Sequence, residues 1–239
     1  MLTTQFSSLS FLHNWRTKLV YFFITPIIDL FLLVLINAQY TDKLDWSVAV
    51  ASIAIDAASL AMQTMGQLLI KDADLQIDYE LIAKRPFSWR YWTIKTLVAL
   101  VIGMSLALIN LGLLFCFGAP IVLIKRAVIL LPLLCLYGAV LGFGAWAGSW
   151  RMNDPYFLIN IFSSIMQLVA GVLVIISAYP TWLNKIALLF PFYEPINFIK
   201  FNHANLTTSI FVTLTWLIIG IIAYTSQIKF VLQTRSHHY

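Results

Sequence analysis

Charged residues are scarce in this chain. Only 10% of its 239 residues are Asp, Glu, Lys or Arg, whereas 61% are hydrophobic; soluble globular proteins carry about 25% charged residues. The mean hydropathy is +0.86. Long polar stretches are also missing, because the segments 70–93 and 179–207, the longest between apolar runs, are shorter than the roughly 50 residues that a domain with its own core needs. The composition excludes a separate soluble catalytic domain and indicates an integral membrane protein.

Motifs that carry enzymatic chemistry are missing as well. The sequence contains no GxxxxGK(S/T) phosphate-binding loop, no HExxH zinc motif and no GxSxG nucleophile motif. The four histidines are scattered without the converging ligands of a metal site. Cys116 and Cys135 lie inside apolar runs, where we expect no disulfide between them. We therefore expect a chain that is not itself an enzyme and that binds no metal or cofactor.

Six apolar runs are long enough for helices that cross a bilayer. A hydrocarbon core of about 30 Å requires roughly 20 apolar residues in a helix, and these runs lack the alternating pattern of membrane β-strands. Tryptophan and tyrosine cluster near their ends, where such rings anchor at lipid headgroups. The sequence predicts a single all-α transmembrane domain over 1–239, with six spans at 19–38, 46–69, 94–117, 127–146, 156–178 and 208–226.

Lysine and arginine set the expected orientation. Placing both termini in the cytoplasm puts ten of the fifteen Lys and Arg residues in the inner connections, as the positive-inside rule requires, although Lys125 and Arg126 fall in an outer loop. The net charge of +5 then faces the anionic lipid of the inner leaflet and does not indicate nucleic-acid binding. We expect a multi-pass protein of the cell membrane with both termini in the cytoplasm.

Residues 1–18 precede the first apolar run. Phe11, Trp15 and Leu19 recur at four-residue spacing, which predicts a short interfacial helix lying along the inner membrane surface. A disordered tail that becomes ordered near Trp15 is the alternative. The run that follows is longer than the roughly 7–15 residues of a signal-peptide core, so we expect it to be retained as a span.

The inner connection at 70–93 carries a helical pattern. The segment 72–85 begins with acidic and ends with basic residues, as the helix dipole favours, and Pro86 follows as a break. One face carries Leu75, Tyr79 and Ile82, and another carries Gln76, Glu80 and Lys84. Two interpretations stay open: an ordinary amphipathic loop helix, or a surface on which a cytoplasmic partner docks.

A short apolar segment, 180–192, lies on the expected outer side. It is too apolar for water and too short for a crossing, and a proline stands at Pro180 and again at Pro191. Lys185 can extend its charge to the headgroups. The sequence predicts short re-entrant helices within 179–207 that dip into the outer leaflet and pack against the last two spans.

Three of these segments resemble type-2 ATP-binding-cassette permeases, the membrane subunits of many bacterial exporters. The segment 78–90, DYELIAKRPFSWR, is similar to the inner loop of that family, in which an acidic residue and two apolar residues precede a proline and an aromatic re-entry. The turn at 149–155 lies where the family has a brief charged loop. The segment 180–192, with its two prolines and its tryptophan, is similar to the family's re-entrant outer segment.

The resemblance implies partners and roles. Such permeases are dimers of six-span subunits, here a homodimer or a heterodimer, with cytoplasmic ATPase subunits docked on the inner loops. ATP and Mg would be bound by those partners, and hydrolysis would switch a central path between inward and outward access. The residues expected to couple to the ATPase are Leu75, Tyr79, Glu80, Ile82, Lys84, Arg85 and Pro86. The residues expected at the outer gate are Pro180, Trp182 and Pro191.

The expected function is that of the permease subunit of a bacterial ATP-driven exporter. An aromatic content of 15% and the short outer loops favour an amphipathic or hydrophobic cargo, such as a drug, an antimicrobial peptide or a lipid-linked molecule. A polysaccharide is the alternative within the family. A six-span secondary carrier or channel, with Asp29 and Asp56 coupling to ions, is the alternative outside it.

Asp29 and Asp56 lie near the middle of the first two predicted spans. Inserting an aspartate there costs roughly 2.5–3.5 kcal/mol, so both should face protein or water. Together with Gln63 and Asn110 they belong either to a substrate path, where they recognise a cationic or hydrogen-bonding group, or to helix packing through hydrogen bonds to neighbours such as Gln167. Both interpretations stay open.

Four glycines in and after the fourth predicted span allow close helix contacts. They form two small-xxx-small spacings, which let two helix backbones approach. Packing within the subunit and a dimer interface are the two uses considered. The glycines are Gly138, Gly142, Gly144 and Gly148.

Overall fold

The computed structural model describes residues 5, 6, 9, 12, 14–41, 45–77, 81, 82, 85–173, 179–203 and 205–236. Within these residues all regular structure is helical, which confirms the predicted all-α class. The helices are α1 (Trp15–Leu19), a π-helical turn (Val20–Ile24), α2 (Thr25–Thr41), α3 (Trp46–Asp74), α4 (Trp89–Cys116), α5 (Ile121–Ser149), α6 (Phe157–Val169), α7 (Thr181–Leu188), α8 (Tyr193–Phe201) and α9 (Leu206–Ser236).

Five helical segments are long and apolar enough to cross a membrane. They are Trp15–Gln39, α3, α4, α5 and the Leu206–Gln233 part of α9. These helices indicate a multi-pass membrane protein, and five of the six predicted spans fall on them. Each is longer than the apolar run that predicted it. α5 begins at Ile121, so Lys125 and Arg126 lie within this helix and not in the loop that the sequence predicted.

The remaining predicted span, 156–178, contains a shorter helix. α6 has 13 residues and ends at Val169, below the roughly 20 residues of a complete crossing. Gly171 follows with φ of 70°, a left-handed conformation that ends a helix and favours glycine. Residues 174–178 lie outside the described part of the chain. The apolar composition of the run did not reveal this break.

Two side chains bind the backbone at the end of α6. Tyr179 Oη donates to the carbonyl oxygen of Leu168 and Lys200 Nζ donates to that of Val172, each over 2.8 Å. Carbonyl groups at a helix end lack helical partners, and these donors satisfy them.

α3 is the central helix. It packs against α2, α4, α5, α6 and α8, and most of its residues are buried. Glycines on α5 permit the closest of these approaches, because a Cβ atom added at Gly138 or Gly142 would collide with the carbonyl oxygen of Ala58 or Met62, respectively. Of the two uses considered for this glycine pattern, packing within the subunit is therefore confirmed for these two positions.

The predicted boundary at residue 18 falls inside a continuous helix. The side chain of Asn14 caps the start of α1 by accepting from the backbone N–H of Arg16 over 3.1 Å. α1 then continues through the π-helical turn into α2. Trp15 and Leu19 thus belong to the helix that forms the first span, whereas Phe11 lies outside the described residues.

The connections between helices lie on two opposite sides of the molecule, as their contacts with the two ends of α9 show. On one side, Tyr224 of α9 reaches the connection between α3 and α4, since its hydroxyl lies 3.2 Å from the carbonyl oxygen of Pro86. On the other side, the N–H of Asn205 donates to Glu194 of α8 over 2.8 Å. Asn205 precedes Tyr224 by a helical length of about 27–29 Å at 1.5 Å per residue.

Candidate functional site

A polar cavity of about 320 Å³ lies between the first spanning helix, α3 and α6. Its polar lining comes from all three elements: Thr25 and Asp29 of α2, Asp56, Ser59 and Gln63 of α3, and Ser163, Ser164 and Gln167 of α6. The α3 residues recur at intervals of three and four, so they occupy one helix face. The structure thereby brings together Asp29, Asp56 and Gln63, as the substrate-path interpretation expects.

Asp56 has one satisfied carboxylate oxygen. Gln167 Nε2 donates to Asp56 Oδ1 over 2.9 Å, which is the packing bond that the sequence suggested. Asp56 Oδ2 is buried and accepts no hydrogen bond from any described residue. Since an unpaired buried polar atom is costly, the second oxygen has the capacity to bind a donor or a cation that enters the cavity.

A second set of hydrogen bonds joins α3 to α6. Gln63 Nε2 donates to Ser163 Oγ over 2.9 Å and lies 3.3 Å from Ser59 Oγ. The two serine hydroxyls are 3.1 Å apart. Ser59 and Ser163 were missed in the sequence because serine is common in membrane helices. The spacing of Ser59 between Asp56 and Gln63 was the signal that could have found it.

Asn110 lies apart from the cavity and serves packing. Its side-chain amide donates to the carbonyl oxygen of Phe22 and to that of Leu106 on its own helix, each over 2.8 Å. Proline at Pro26 has no N–H to offer the carbonyl four residues earlier, which is that of Phe22. Asn110 thus supplies the donor that the first span lacks at this turn.

A buried ion pair lies beside the 75–88 connection. We name this connection the inner loop after the side on which the sequence predicts it. Lys95 Nζ of α4 lies 2.9 Å from Asp72 Oδ2 at the end of α3, and Tyr91 Oη donates to the same oxygen over 2.6 Å. Lys95 also donates to the carbonyl oxygen of Leu68 over 2.8 Å. Its Nζ lies 3.3 Å from Oε1 of Gln5, so the N-terminal segment reaches this side too.

The inner loop is also attached to α9. The carbonyl oxygen of Pro86 accepts from Trp92 Nε1 over 3.1 Å and from the Tyr224 hydroxyl over 3.2 Å. Around this point the rings of Phe87 and Tyr224 meet edge to face at 5.8 Å, and those of Trp92 and Phe143 at 5.1 Å. Movement of the loop would therefore be transmitted to α4, α5 and α9.

The predicted coupling helix differs from the observed inner loop at its start. Asp72 and Asp74 belong to the last turn of α3, because Asp72 is held by Lys95. The chain then breaks at Gln76, whose φ is 57°. Leu75 is 60% exposed and Ile82 only 5%, so these two side chains are not exposed on one common surface.

The other predicted coupling residues divide into two groups. Arg85 and Pro86 belong to the described loop, with Arg85 exposed and Pro86 half-buried. Tyr79, Glu80 and Lys84 lie outside the described residues. Phe87 within the loop is 58% exposed and Trp89 at the start of α4 is 80% exposed, so apolar side chains are available at this surface or at the adjoining lipid boundary.

The predicted outer gate residues flank α7. Pro180 stands at its N-cap, Trp182 is exposed and Pro191 is buried. Between them, Phe190 packs edge to face on Phe162 of α6 with ring centroids 5.5 Å apart. The indole nitrogen of Trp216 on α9 donates to the carbonyl oxygen of Leu189 over 2.8 Å. The segment is thus fixed to α6 and α9.

No family model matches the chain, and no curated protein matches it. The class is therefore defined by the helices and by the two sites: a helical multi-pass membrane protein with an acidic cavity among its spans and a firmly attached inner loop.

Proposed function

We propose that the chain is the permease subunit of an ATP-driven exporter of the ATP-binding-cassette type. The attachment of the inner loop is the observation that carries this proposal. The helices on either side of it are joined by the Asp72–Lys95 ion pair, and its Pro86 carbonyl is bound by α4 and α9. A loop that merely connected two helices would not need such attachment, whereas a loop that transmits force from a docked ATPase would.

A sixth crossing formed by α6, α7 and α8 is part of this proposal. α5 ends near Ala147, whose carbonyl oxygen accepts from Gln227 in the later part of α9. α9 starts near Asn205, at its other end. The chain between α5 and α9 must therefore pass from one side of the molecule to the other, and six crossings put both termini on one side. The contact of Gln5 with Lys95 supports the same arrangement for the N-terminus.

The acidic cavity supplies a candidate for part of the transport path. It is lined by an interrupted element, α6, and interruptions of membrane helices are tolerated where backbone is covered by protein or lines a water-filled cavity. Apolar side chains line the rest of its wall, including Ile55, Leu60, Leu106 and Met166. A mixed lining of this kind suits an amphipathic cargo such as a drug, an antimicrobial peptide or a lipid-linked molecule.

The partners follow from the same proposal. Two copies of this chain, or this chain and a related one, would combine with two cytoplasmic ATPase subunits that bind ATP and Mg. The chain would not hydrolyse ATP alone. The site of action would be a bacterial cell membrane with both termini in the cytoplasm.

A secondary carrier or channel is the second candidate, because two acidic residues line the cavity beside an interrupted helix. It would transport with an ion gradient and without an ATPase. The inner-loop attachments favour the first candidate.

The test is purification of the tagged chain, produced together with the products of its neighbouring genes, followed by mass measurement in mild detergent. The proposal expects two membrane subunits and two subunits with a phosphate-binding loop. Transport by the chain alone in vesicles with an ion gradient, and no such ATPase in the complex, would establish the second candidate.

A further inference from the structure

We propose that the acidic cavity binds a positively charged group, and that the cargo of this permease is an amphipath that carries an organic ammonium. This inference names the cargo class and so rests on the proposed function. The binding step itself is a property of this chain and is measured without an ATPase.

The charge of the lining is of one sign. Two carboxylates, those of Asp29 and Asp56, face the cavity, and no lysine, arginine or histidine is among the described residues that line it. Lys95 of α4 has a buried ammonium group, which forms an ion pair with Asp72. The carboxylates are therefore not neutralised by a cation of the described lining.

Asp56 provides a free acceptor at this place. Its Oδ1 is bound by Gln167, whereas its Oδ2 is buried without a partner among the described residues. In a low-dielectric interior an unpaired carboxylate oxygen attracts a cation more strongly than in water. A bound ammonium would supply both the missing contact and the missing charge.

The end of α6 borders the same cavity, because the lining residue Gln167 lies two residues before Val169. Carbonyl groups at this end are already bound by Tyr179 and by the Lys200 ammonium. The negative field of the cavity is therefore attributed to the two carboxylates and not to the helix end.

Size and wall chemistry favour an organic cation over a bare metal ion. The cavity of about 320 Å³ lies at the lower end of the usual 300–1,000 Å³ for small-molecule sites. Leu60, Leu106 and Met166 offer apolar contact beside the acids. Calcium takes 6–8 oxygen ligands at close range, whereas an ammonium with attached hydrocarbon uses both the charged and the apolar wall.

The experiment measures ligand-induced shifts of the thermal unfolding midpoint, with the full chain in nanodiscs of phosphatidylcholine at mildly alkaline pH. The probe is 2-phenylethylammonium, whose N–H groups can donate to Asp56 Oδ2, and the matched control is propylbenzene, its uncharged isostere. A ligand that binds the folded state raises the midpoint with concentration. We expect a saturable rise with the cation and none beyond membrane partitioning with the isostere.

Variants assign the effect to the cavity. Asp56→Asn should weaken binding of the cation about tenfold or more, because contacts to charged groups are stronger than neutral ones. Should the first variant fold poorly, Asp29→Asn removes the other carboxylate of the cavity lining. Asp74→Asn is the control, since Asp74 lies exposed on the same helix, α3, outside the cavity. Each shift is taken from the variant's own ligand-free midpoint.

The outcomes are distinct. Equal shifts with the cation and with its isostere, or unchanged cation affinity in both cavity variants, would overturn the inference. A rise with sodium chloride alone that Asp56→Asn abolishes would assign the site to an inorganic cation and reject an ammonium cargo. Failure of this assay leaves ATPase coupling untouched, and an absent ATPase leaves the binding result untouched, so the two proposals fail separately.

Discussion

The side-chain amide of Asn110 donates a 2.8 Å hydrogen bond to the carbonyl oxygen of Phe22, at the turn where Pro26 removes the helical donor. Asn110 is 3% exposed. This bond ties the first span to α4 beside the cavity, because Tyr21 and Thr25 of the same turn line it. The geometry at Phe22 therefore sets the position of Asp29, about two helical turns further along.

Asn110→Leu should destabilise the chain, because the Phe22 carbonyl would be buried without a donor at a cost of about 1–3 kcal/mol. The measurement is the thermal unfolding midpoint in detergent. Pro26→Ala restores an N–H four residues after Phe22, so the double variant should recover part of the loss. Additive losses in the double-mutant cycle would show that the two residues do not share this carbonyl.

Lys95→Met should destabilise the chain by about 3–5 kcal/mol, because it leaves the Asp72 carboxylate buried without its charged partner. Unfolding by denaturant measures the loss. The Asp72→Asn, Lys95→Met pair should be more stable than Lys95→Met alone. Asp74→Asn, on an exposed neighbour of the pair, is the control and should change little. Equal stability of Lys95→Met and the control would contradict a structural ion pair at the inner loop.

Gly138→Val should lower stability by about 1–3 kcal/mol or prevent folding, because the valine side chain would collide with the carbonyl oxygen of Ala58. Gly112→Val on α4 is the matched control, since a Cβ there meets no atom within 4 Å. Comparison of the two thermal midpoints is the readout. If both substitutions have the same effect, helix propensity and not close packing explains the loss.

Cysteine labelling tests the outer segment in intact cells, in a Cys116→Ala, Cys135→Ala background. Lys185→Cys and Leu189→Cys replace two residues that are both exposed on the protein surface. A membrane-impermeant reagent should label position 185, where the charge reaches the headgroups, and spare position 189 within the leaflet. Rapid labelling of both positions would identify a solvated loop and remove the proposed outer gate.

Helical class and most span positions were predictable, because long apolar runs have few structural solutions in a bilayer. The ends of the helices were less predictable. The sequence predicts Asp72 at the start of a loop helix, whereas it lies in the last turn of α3 and pairs with Lys95. The break after Val169 depends on the conformation of Gly171 within an otherwise apolar run.

The candidate site was predicted in part. Asp29 and Asp56 share a cavity with Gln63, as the similar depth of the two aspartates suggested, because polar residues inside a membrane avoid lipid. Asn110 is also polar, but its amide donates to the backbone carbonyl of Phe22. This role became clear only from the packing of α4 against the first span. Ser59 and Ser163 became meaningful once α3 and α6 were seen to pack together.

The central claim, that the inner loop couples an ATPase to the spans, is tested most directly by MgATP hydrolysis of the complex recovered with the tagged chain and reconstituted in lipid. We expect vanadate-sensitive hydrolysis with the wild-type chain. A Gly-Gly insertion after Ile77 should abolish it, whereas the same insertion after Asn202, in the connection on the opposite side, should retain it. Full hydrolysis with the insertion after Ile77, or recovery of the wild-type chain without any ATPase, would contradict the claim.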